Sequence, residues 1–311
     1  MTPETSLGQF DVQTALTRAG IGSDLTLTLT LAMAVAGAAI FVIVMGLAWW
    51  AWRHEVTPRA WWVWSGGVVF PVATLAVLLI GSTITLAAIG RVDRVAVVIE
   101  VTGHQYWWDV IYDPDDRALR DANEVVLPQG VPVTFRLKSD DVIHSWWIPS
   151  IAGKMDMIPG RVNEITVTAT RTGRFRGQCA EFCGLSHPLM AFEVVVVPPQ
   201  DFAAFLDALK GEARDADTLQ LERGRDVFVT AGCPACHVIR GMVRGGRLGP
   251  DLTRVGGRAS LGAGMWKMNV GNLAGWIADV QDMKPGAQMP SFNTLSGPDL
   301  RALAHYLDSL K

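Results

Sequence analysis

Twelve consecutive residues, Cys179-Ala-Glu-Phe-Cys183-Gly-Leu-Ser-His187-Pro-Leu-Met190, set out two thiols, an imidazole and a thioether, with Glu181 between the thiols. Soft sulfur combined with imidazole is the donor set that copper takes, unlike the oxygen ligands of magnesium. One Cys with His and Met would suit a mononuclear blue-copper site, which needs a second His from elsewhere. Two Cys, each able to bridge, instead let two copper ions sit close together and share one unpaired electron. Such a pair suits fast one-electron transfer and leaves no open position for a substrate. The competing reading is a Cys179–Cys183 disulfide, at home in an oxidising compartment, but a disulfide gives no reason for His187 and Met190 at these offsets.

A second imidazole lies upstream, in Asp140-Asp-Val-Ile-His144-Ser-Trp-Trp-Ile-Pro149. The run Gly-Gln-Cys179-x-Glu181-x-Cys183-Gly-x-x-His187-x-x-Met190, preceded by Asp-Val-Ile-His144-Ser-Trp, resembles the dinuclear CuA site of cytochrome c oxidase subunit II. The resemblance implies His144, Cys179, Cys183, His187 and Met190 as side-chain ligands of a copper pair, with Glu181 giving its backbone carbonyl. It also implies that the Glu181 carboxylate faces oxidase subunit I and helps to hold a Mg²⁺ there. Asp156 and Arg161, in Lys154-Met-Asp156-Met-Ile-Pro-Gly-Arg161, match a segment facing the same subunit. Gly103-His-Gln-Tyr106-Trp107-Trp108 resembles the aromatic patch through which electrons reach copper in this family, although Tyr106 stands where Trp is usual. Alternating aromatics on a strand are equally well explained as core packing. His104 reads as structural, and Asp141 either orients the imidazole three residues on or is a surface acid.

A second chemistry sits near the end of the chain. Cys233-Pro-Ala-Cys236-His237 is the Cys-x-x-Cys-His attachment signature of one covalent c-type heme, with two thioethers and an axial imidazole. A sixth ligand from methionine raises the potential and closes the iron to oxygen. Met242, Met265, Met268, Met283 and Met289 are available. Met289-Pro-Ser-Phe292, after Lys284-Pro-Gly286, is a rigid loop able to present a thioether, so Met289 is the first choice and Met283 the next. With Gly249-Pro-Asp-Leu-Thr-Arg-Val-Gly-Gly-Arg258 it resembles the cytochrome c domain fused to some bacterial subunits II.

These sites need elements to hold them. The chain has 311 residues, half of them hydrophobic, and a positive mean hydropathy, more apolar than soluble chains. Its net charge of -3 gives no sign of nucleic-acid binding. All four Cys are used by the two motifs. Uncharged runs over 25–52 and 60–90 exceed the ~20 residues a spanning helix needs, and six Trp (49, 50, 52, 61, 62, 64) border them as interfacial belts do. Pro71 falls inside the second run and is expected to kink it. No signal peptide is legible in the first twenty residues; the resemblance implies an acid linked to proton entry just before the second run, but the nearest is Glu55 and no residue is assigned that role. Short β-branched runs (95–99, 125–127, 131–137, 163–168, 192–197) broken by turns at 113–116 and 128–130 predict a sandwich.

The expected fold is a multidomain membrane protein: a two-helix transmembrane hairpin, an all-β sandwich that the resemblance implies is cupredoxin-like, and an all-α cytochrome c domain that it likewise implies. The boundaries expected are an extracytoplasmic segment 1–24, helices 25–90, copper domain 91–200, linker 201–218 (a short helix 201–209, then a charged tether) and heme domain 219–311. Residues 219–311 carry 11 Lys/Arg against 7 Asp/Glu, and 91–200 carry 11 against 14, a weak bias toward docking. The resemblance implies subunit II of a caa-type, proton-pumping oxidase in a bacterial inner membrane, with both metal domains on the periplasmic side. Its expected partners are subunit I, other oxidase subunits, the bilayer and a soluble or membrane cytochrome c-type donor. Two other classes compete: a membrane-tethered carrier serving another terminal reductase, and a copper chaperone.

Overall fold

The computed structural model describes residues 13–54, 56–57, 59–90, 97–113, 115, 119–243 and 245–311. Residues 1–12 of the expected N-terminal segment, the start of the 95–99 strand and part of the 113–116 turn lie outside them. Helix α1, Ile21–Arg53, runs 33 residues, about 50 Å of helix against the ~30 Å of a hydrocarbon core. The surplus at its start is tied down. Ser23 Oγ donates to the Ser150 carbonyl at 2.9 Å, and Thr170 N–H donates to the Ala19 carbonyl at 2.8 Å.

The second apolar run is α2 (Ala60–Trp64), a π-helical stretch Ser65–Val69 and α3 (Phe70–Ile89). Pro71 lacks an N–H for the carbonyl four residues back and its ring crowds that carbonyl. Widening the turn before it into a π-bulge makes room without ending the helix, so the helix continues through the proline. Both runs are long and apolar enough to cross a membrane. At the far end Arg53 stacks over Trp49 and Trp52.

The β-region is two five-stranded sheets. One orders β3 (Arg120–Ala122), β2 (Trp107–Ile111), β1 (Val97–His104), β5 (Pro132–Ser139) and β8 (Asn163–Thr168). The other orders β4 (Glu124–Pro128), β10 (Ala191–Val197), β9 (Gly173–Cys179), β6 (His144–Trp147) and β7 (Met155–Met157). Pairing is antiparallel except β1 with β5 and β10 with β4. Between the sheets Phe192 stacks on Trp146 at 3.6 Å between centroids, and Trp108 meets both edge-on. Gly177 is required there, because a Cβ would land on the Phe192 ring. Helix α4 (Pro199–Leu209), the first part of the expected linker, buries Phe202 and Leu209 in this core. The tether begins only after it.

The last region is helical: α5 (Leu219–Thr230), a small hairpin of β11 (Ser260–Leu261) and β12 (Trp266–Lys267), then α6 (Val270–Ala278), α7 (Val280–Met283) and α8 (Gly297–Ser309). Each of α5, α6 and α8 is capped by a side chain: Thr218, Asn269 and Ser296 accept from backbone N–H groups. Helix α8 buries Leu303, Tyr306 and Leu307 against α5. His305 faces outward.

The helical region docks on the sandwich through a polar seam. Arg258 Nε donates to Asp121 Oδ1 at 2.7 Å, both side chains being about 8% exposed. The hairpin turn reaches β9 and β10: Arg176 donates to the Gly264 carbonyl, and Ala191 N–H to the Ala263 carbonyl at 3.0 Å. Glu124 accepts from Ala259 N–H at 3.2 Å. Burial first, then the Asp121 charge, pushes its carboxyl up to about 7.

Candidate metal centre and heme cavity

Strand alternation delivers the first cysteine. In Gly173-Arg-Phe-Arg-Gly-Gln-Cys179, Phe175, Gly177 and Cys179 face inward while the arginines face out. Beside it β6 places His144, and Trp146 pairs with Cys179 in register. The loop after β9 is closed by Cys179 N–H donating to the Met190 carbonyl at 2.8 Å and by a 3₁₀ turn His187–Leu189. Gly184 takes φ +122, and a Cβ there would strike the Tyr106 hydroxyl. Only glycine lets the loop fold back this tightly.

That loop gathers the donors. Cys179 Sγ lies 3.9 Å from Cys183 Sγ, 3.8 Å from His144 Nδ1 and 3.2 Å from the Glu181 carbonyl oxygen. Cys183 Sγ lies 3.6 Å from His187 Nδ1 and 3.8 Å from Met190 Sδ. Both cysteines are free thiols, since a disulfide requires about 2.05 Å. His144, Cys179 and Cys183 are buried with their ligand atoms all within 4.8 Å. This donor chemistry fits copper: soft sulfurs at the centre, a ring nitrogen facing each, and a thioether.

Charge is arranged to match. Hydrogen bonding to Cys183, against the cost of burial, draws the Cys179 thiol down to about 4, helped by His144. The same contact and burial drive Cys183 far up. Two thiolates cannot share this space without a cation. Asp141 Oδ1 holds His144 Nε2 at 2.7 Å, leaving Nδ1 for the cluster. Burial disfavours the imidazolium, but the Asp141 bond and Cys179 outweigh it and raise His144 above its ordinary value. Asp141 is thus the orienting acid, not a surface one. Asp141→Ala is expected to weaken copper binding about 10–100-fold, read by competition against a copper chelator. Asp141→Asn, which keeps an acceptor oxygen, should lose less.

The Glu181 carboxylate lies 3.6 Å from Lys154 Nζ and is half exposed. Asp156, opposite Ser145 on the neighbouring β7, accepts from Ser145 Oγ at 2.8 Å.

The aromatic patch divides. Trp108 is fully buried in the sandwich, its indole N–H donating to the Ala191 carbonyl at 3.2 Å. Trp107 stacks on His104 at 4.4 Å, and Asp140, distant in sequence, lies 3.7 Å from the same ring. Tyr106 and Trp107 help to line a cavity of about 460 Å³ that belongs mainly to the helical domain.

That cavity is lined by Cys233, Cys236, His237 and Met289. His237 Nδ1–H donates to the Pro250 carbonyl at 2.8 Å, leaving Nε2 as a free donor atom. Burial holds His237 below its ordinary value, in the neutral form a metal needs. Phe228, Leu273, Trp276 and Leu303 give much of the remaining wall an apolar face, as a porphyrin requires. Met268 also lines the cavity, whereas Met242 accepts from the Tyr306 hydroxyl and Met265 lies by Arg176. Met283 packs beside Gly275. Two features were missed by sequence reasoning. Lys284 is 2% exposed and donates to the Tyr106 and Gly262 carbonyls, each at 2.8 Å. Gln105 donates to the Cys183 carbonyl at 2.6 Å.

A buried sulfur–imidazole cluster in a sandwich, abutting a Cys-x-x-Cys-His cavity, defines a protein built to carry single electrons. The cytochrome c oxidase subunit II periplasmic domain matches residues 109–197, and cytochrome c matches 221–311. Cytochrome c oxidase subunit 2 of Alkalihalophilus pseudofirmus is 37% identical over 215 residues, 69% of this chain and 61% of its own length. That of Bacillus subtilis is 32% identical over 232 residues, 71% and 64%. That of Bacillus sp. (strain PS3) is 30% identical over 261 residues, 78% and 72%. The chain belongs to the cytochrome c oxidase subunit II family, in the form that continues into a cytochrome c domain. It spans just under two thirds of the first two relatives' length. The two domains imply copper and heme c.

Proposed function

We propose that this chain is subunit II of a proton-pumping, caa-type terminal oxidase. It would take electrons from an external cytochrome c-type donor and pass them to subunit I, where oxygen is reduced to water. Cys233 and Cys236 would hold the heme through thioethers, and His237 and Met289 would serve as ligands to its iron. His144, Cys179, Cys183, His187, Met190 and the Glu181 carbonyl would hold a dinuclear copper centre. Heme and copper supply one-electron chemistry; the chain's own residues bind them, orient the imidazoles and exclude water. The half-exposed Glu181 carboxylate would contribute to a Mg²⁺ site against subunit I. The apolar helices would anchor the protein with both metal domains on the periplasmic side.

The observation that carries this reading is the sulfur pair, 3.9 Å apart, with a ring nitrogen against each sulfur. Purification of the full chain in mild detergent tests it. The expected result is a copper pair and one heme c per chain, co-purifying with subunits that bear a- or b-type heme. A chain with copper and heme c alone would instead identify a carrier for another reductase. Copper released readily to an acceptor protein would identify a chaperone.

A further inference from the structure

Where the domains meet, one residue touches both sites. Gln105 lines the heme cavity. Its side-chain amide donates to the Cys183 carbonyl at 2.6 Å, and its backbone N–H donates to Asp141 Oδ2 at 2.6 Å. The other oxygen of Asp141 holds His144 Nε2 at 2.7 Å. From the cavity wall, one hydrogen bond therefore reaches the main chain of a cysteine ligand, and two reach a histidine. The next residue is clamped from the opposite side, because Lys284 of the helical domain donates to the Tyr106 carbonyl at 2.8 Å.

Electron tunnelling decays more slowly through bonds and hydrogen bonds than across gaps, so the shortest bonded chain of atoms dominates. The Gln105 side chain supplies such a chain: Cγ, Cδ and Nε2, one hydrogen bond, then the Cys183 carbonyl, Cα, Cβ and Sγ. A ring at 106 is expected to serve this role by analogy with the aromatic patch, yet it is the amide one residue earlier that is bonded to the cluster.

We infer that Gln105 is the bridging residue that couples the heme domain to the copper cluster, with the Tyr106 ring acting as packing. This rests on the two-cofactor reading above. In the transfer concerned, one electron leaves the heme iron, which is oxidised, and arrives on the copper pair, which is reduced. No bond is made or broken and no proton moves. Asp141 and Lys284 position the bridge at its two ends.

The test uses the full chain in its detergent-purified complex, comparing Gln105→Met with Tyr106→Leu. Four quantities are read: copper and heme content, the EPR spectrum of the copper centre, both reduction potentials, and the heme-to-copper transfer rate after photoreduction of the heme. Gln105→Met removes the one hydrogen bond in that chain of atoms and is expected to slow transfer severalfold. Contents, EPR spectrum and potentials should stay unchanged, as should hydrogen exchange over 259–264, which reports that the domains remain docked. Tyr106→Leu should leave the rate unchanged. An unchanged rate in Gln105→Met with both cofactors present overturns the inference, as does an equal loss in Tyr106→Leu. A parent chain lacking either cofactor would instead defeat the underlying functional reading, which the metal and heme content shows before any rate is measured.

Discussion

Cys183→Ser should give a chain that keeps its heme absorbance and loses the copper pair, with electron delivery beyond the heme falling to background. Cys183 Sγ is the hub of the cluster, within 3.9 Å of Cys179 Sγ, His187 Nδ1 and Met190 Sδ. A serine oxygen reaches less far, is a harder donor and ionises far less readily, so it cannot bridge soft metal ions. Charge points the same way. Without metal the two sulfurs hold one negative charge between them, because the contact that favours one thiolate disfavours the other. Only a cation lets the second thiol ionise in that space. Removing Cys183 leaves a thiolate, two imidazoles and a thioether, enough for one ion at most. Metal analysis against heme content, with EPR for the shared electron, checks this. Full copper with an unaltered spectrum would mean that the second sulfur is not a bridge.

Phe192→Ala should destabilise the sandwich by about 3–5 kcal/mol, a large share of the 5–15 kcal/mol that holds a domain folded. The ring is wholly buried, stacks on Trp146 at 3.6 Å and presses on Gly177. Its neighbours cannot close the void, because Trp146 and Trp108 are fixed by their own strands and by the Trp108–Ala191 hydrogen bond. The loss would show in the midpoint of denaturation followed by near-ultraviolet tryptophan signals. Heme absorbance should survive longer, since Phe228, Leu303 and Tyr306 form a separate core. A cost below about 1 kcal/mol would mean that the sheets re-pack freely around the void, unlike a close-packed core.

How much was legible depended on how local the information is. Cys179, Cys183, His187 and Met190 share one loop, so their spacing alone announces a common site. The apolar runs were plain because only length and absence of charge matter there. Strand β9 was not, because Gly173-Arg-Phe-Arg-Gly-Gln-Cys179 has no β-branched run and puts arginines on its outer face. Strands β3 and β7 are three residues each, too short for a period to register. Asp141 stayed open between two roles because an acid three residues from a histidine on a loop can point either way. The contact of Gln105 with Cys183 spans 78 positions, and no pattern in one sequence links them. Lys284 misleads for a physical reason: in Lys-Pro-Gly it reads as an exposed turn, yet the sandwich packed over it buries it. Burial lowers its ammonium to about 7, and two carbonyls offset the loss of water.

The tether over 210–218 has a kinetic meaning. Because it joins α4, fixed on the sandwich, to α5, the two electron-carrying domains face one another at a local concentration in the millimolar range, as short linkers impose. An encounter that would otherwise need diffusion becomes a rearrangement within one molecule. The polar seam of Arg258, Asp121 and Lys284 can then be weak as a free association and still be closed most of the time. Alignment, and not tightness, becomes the property such a joint must supply.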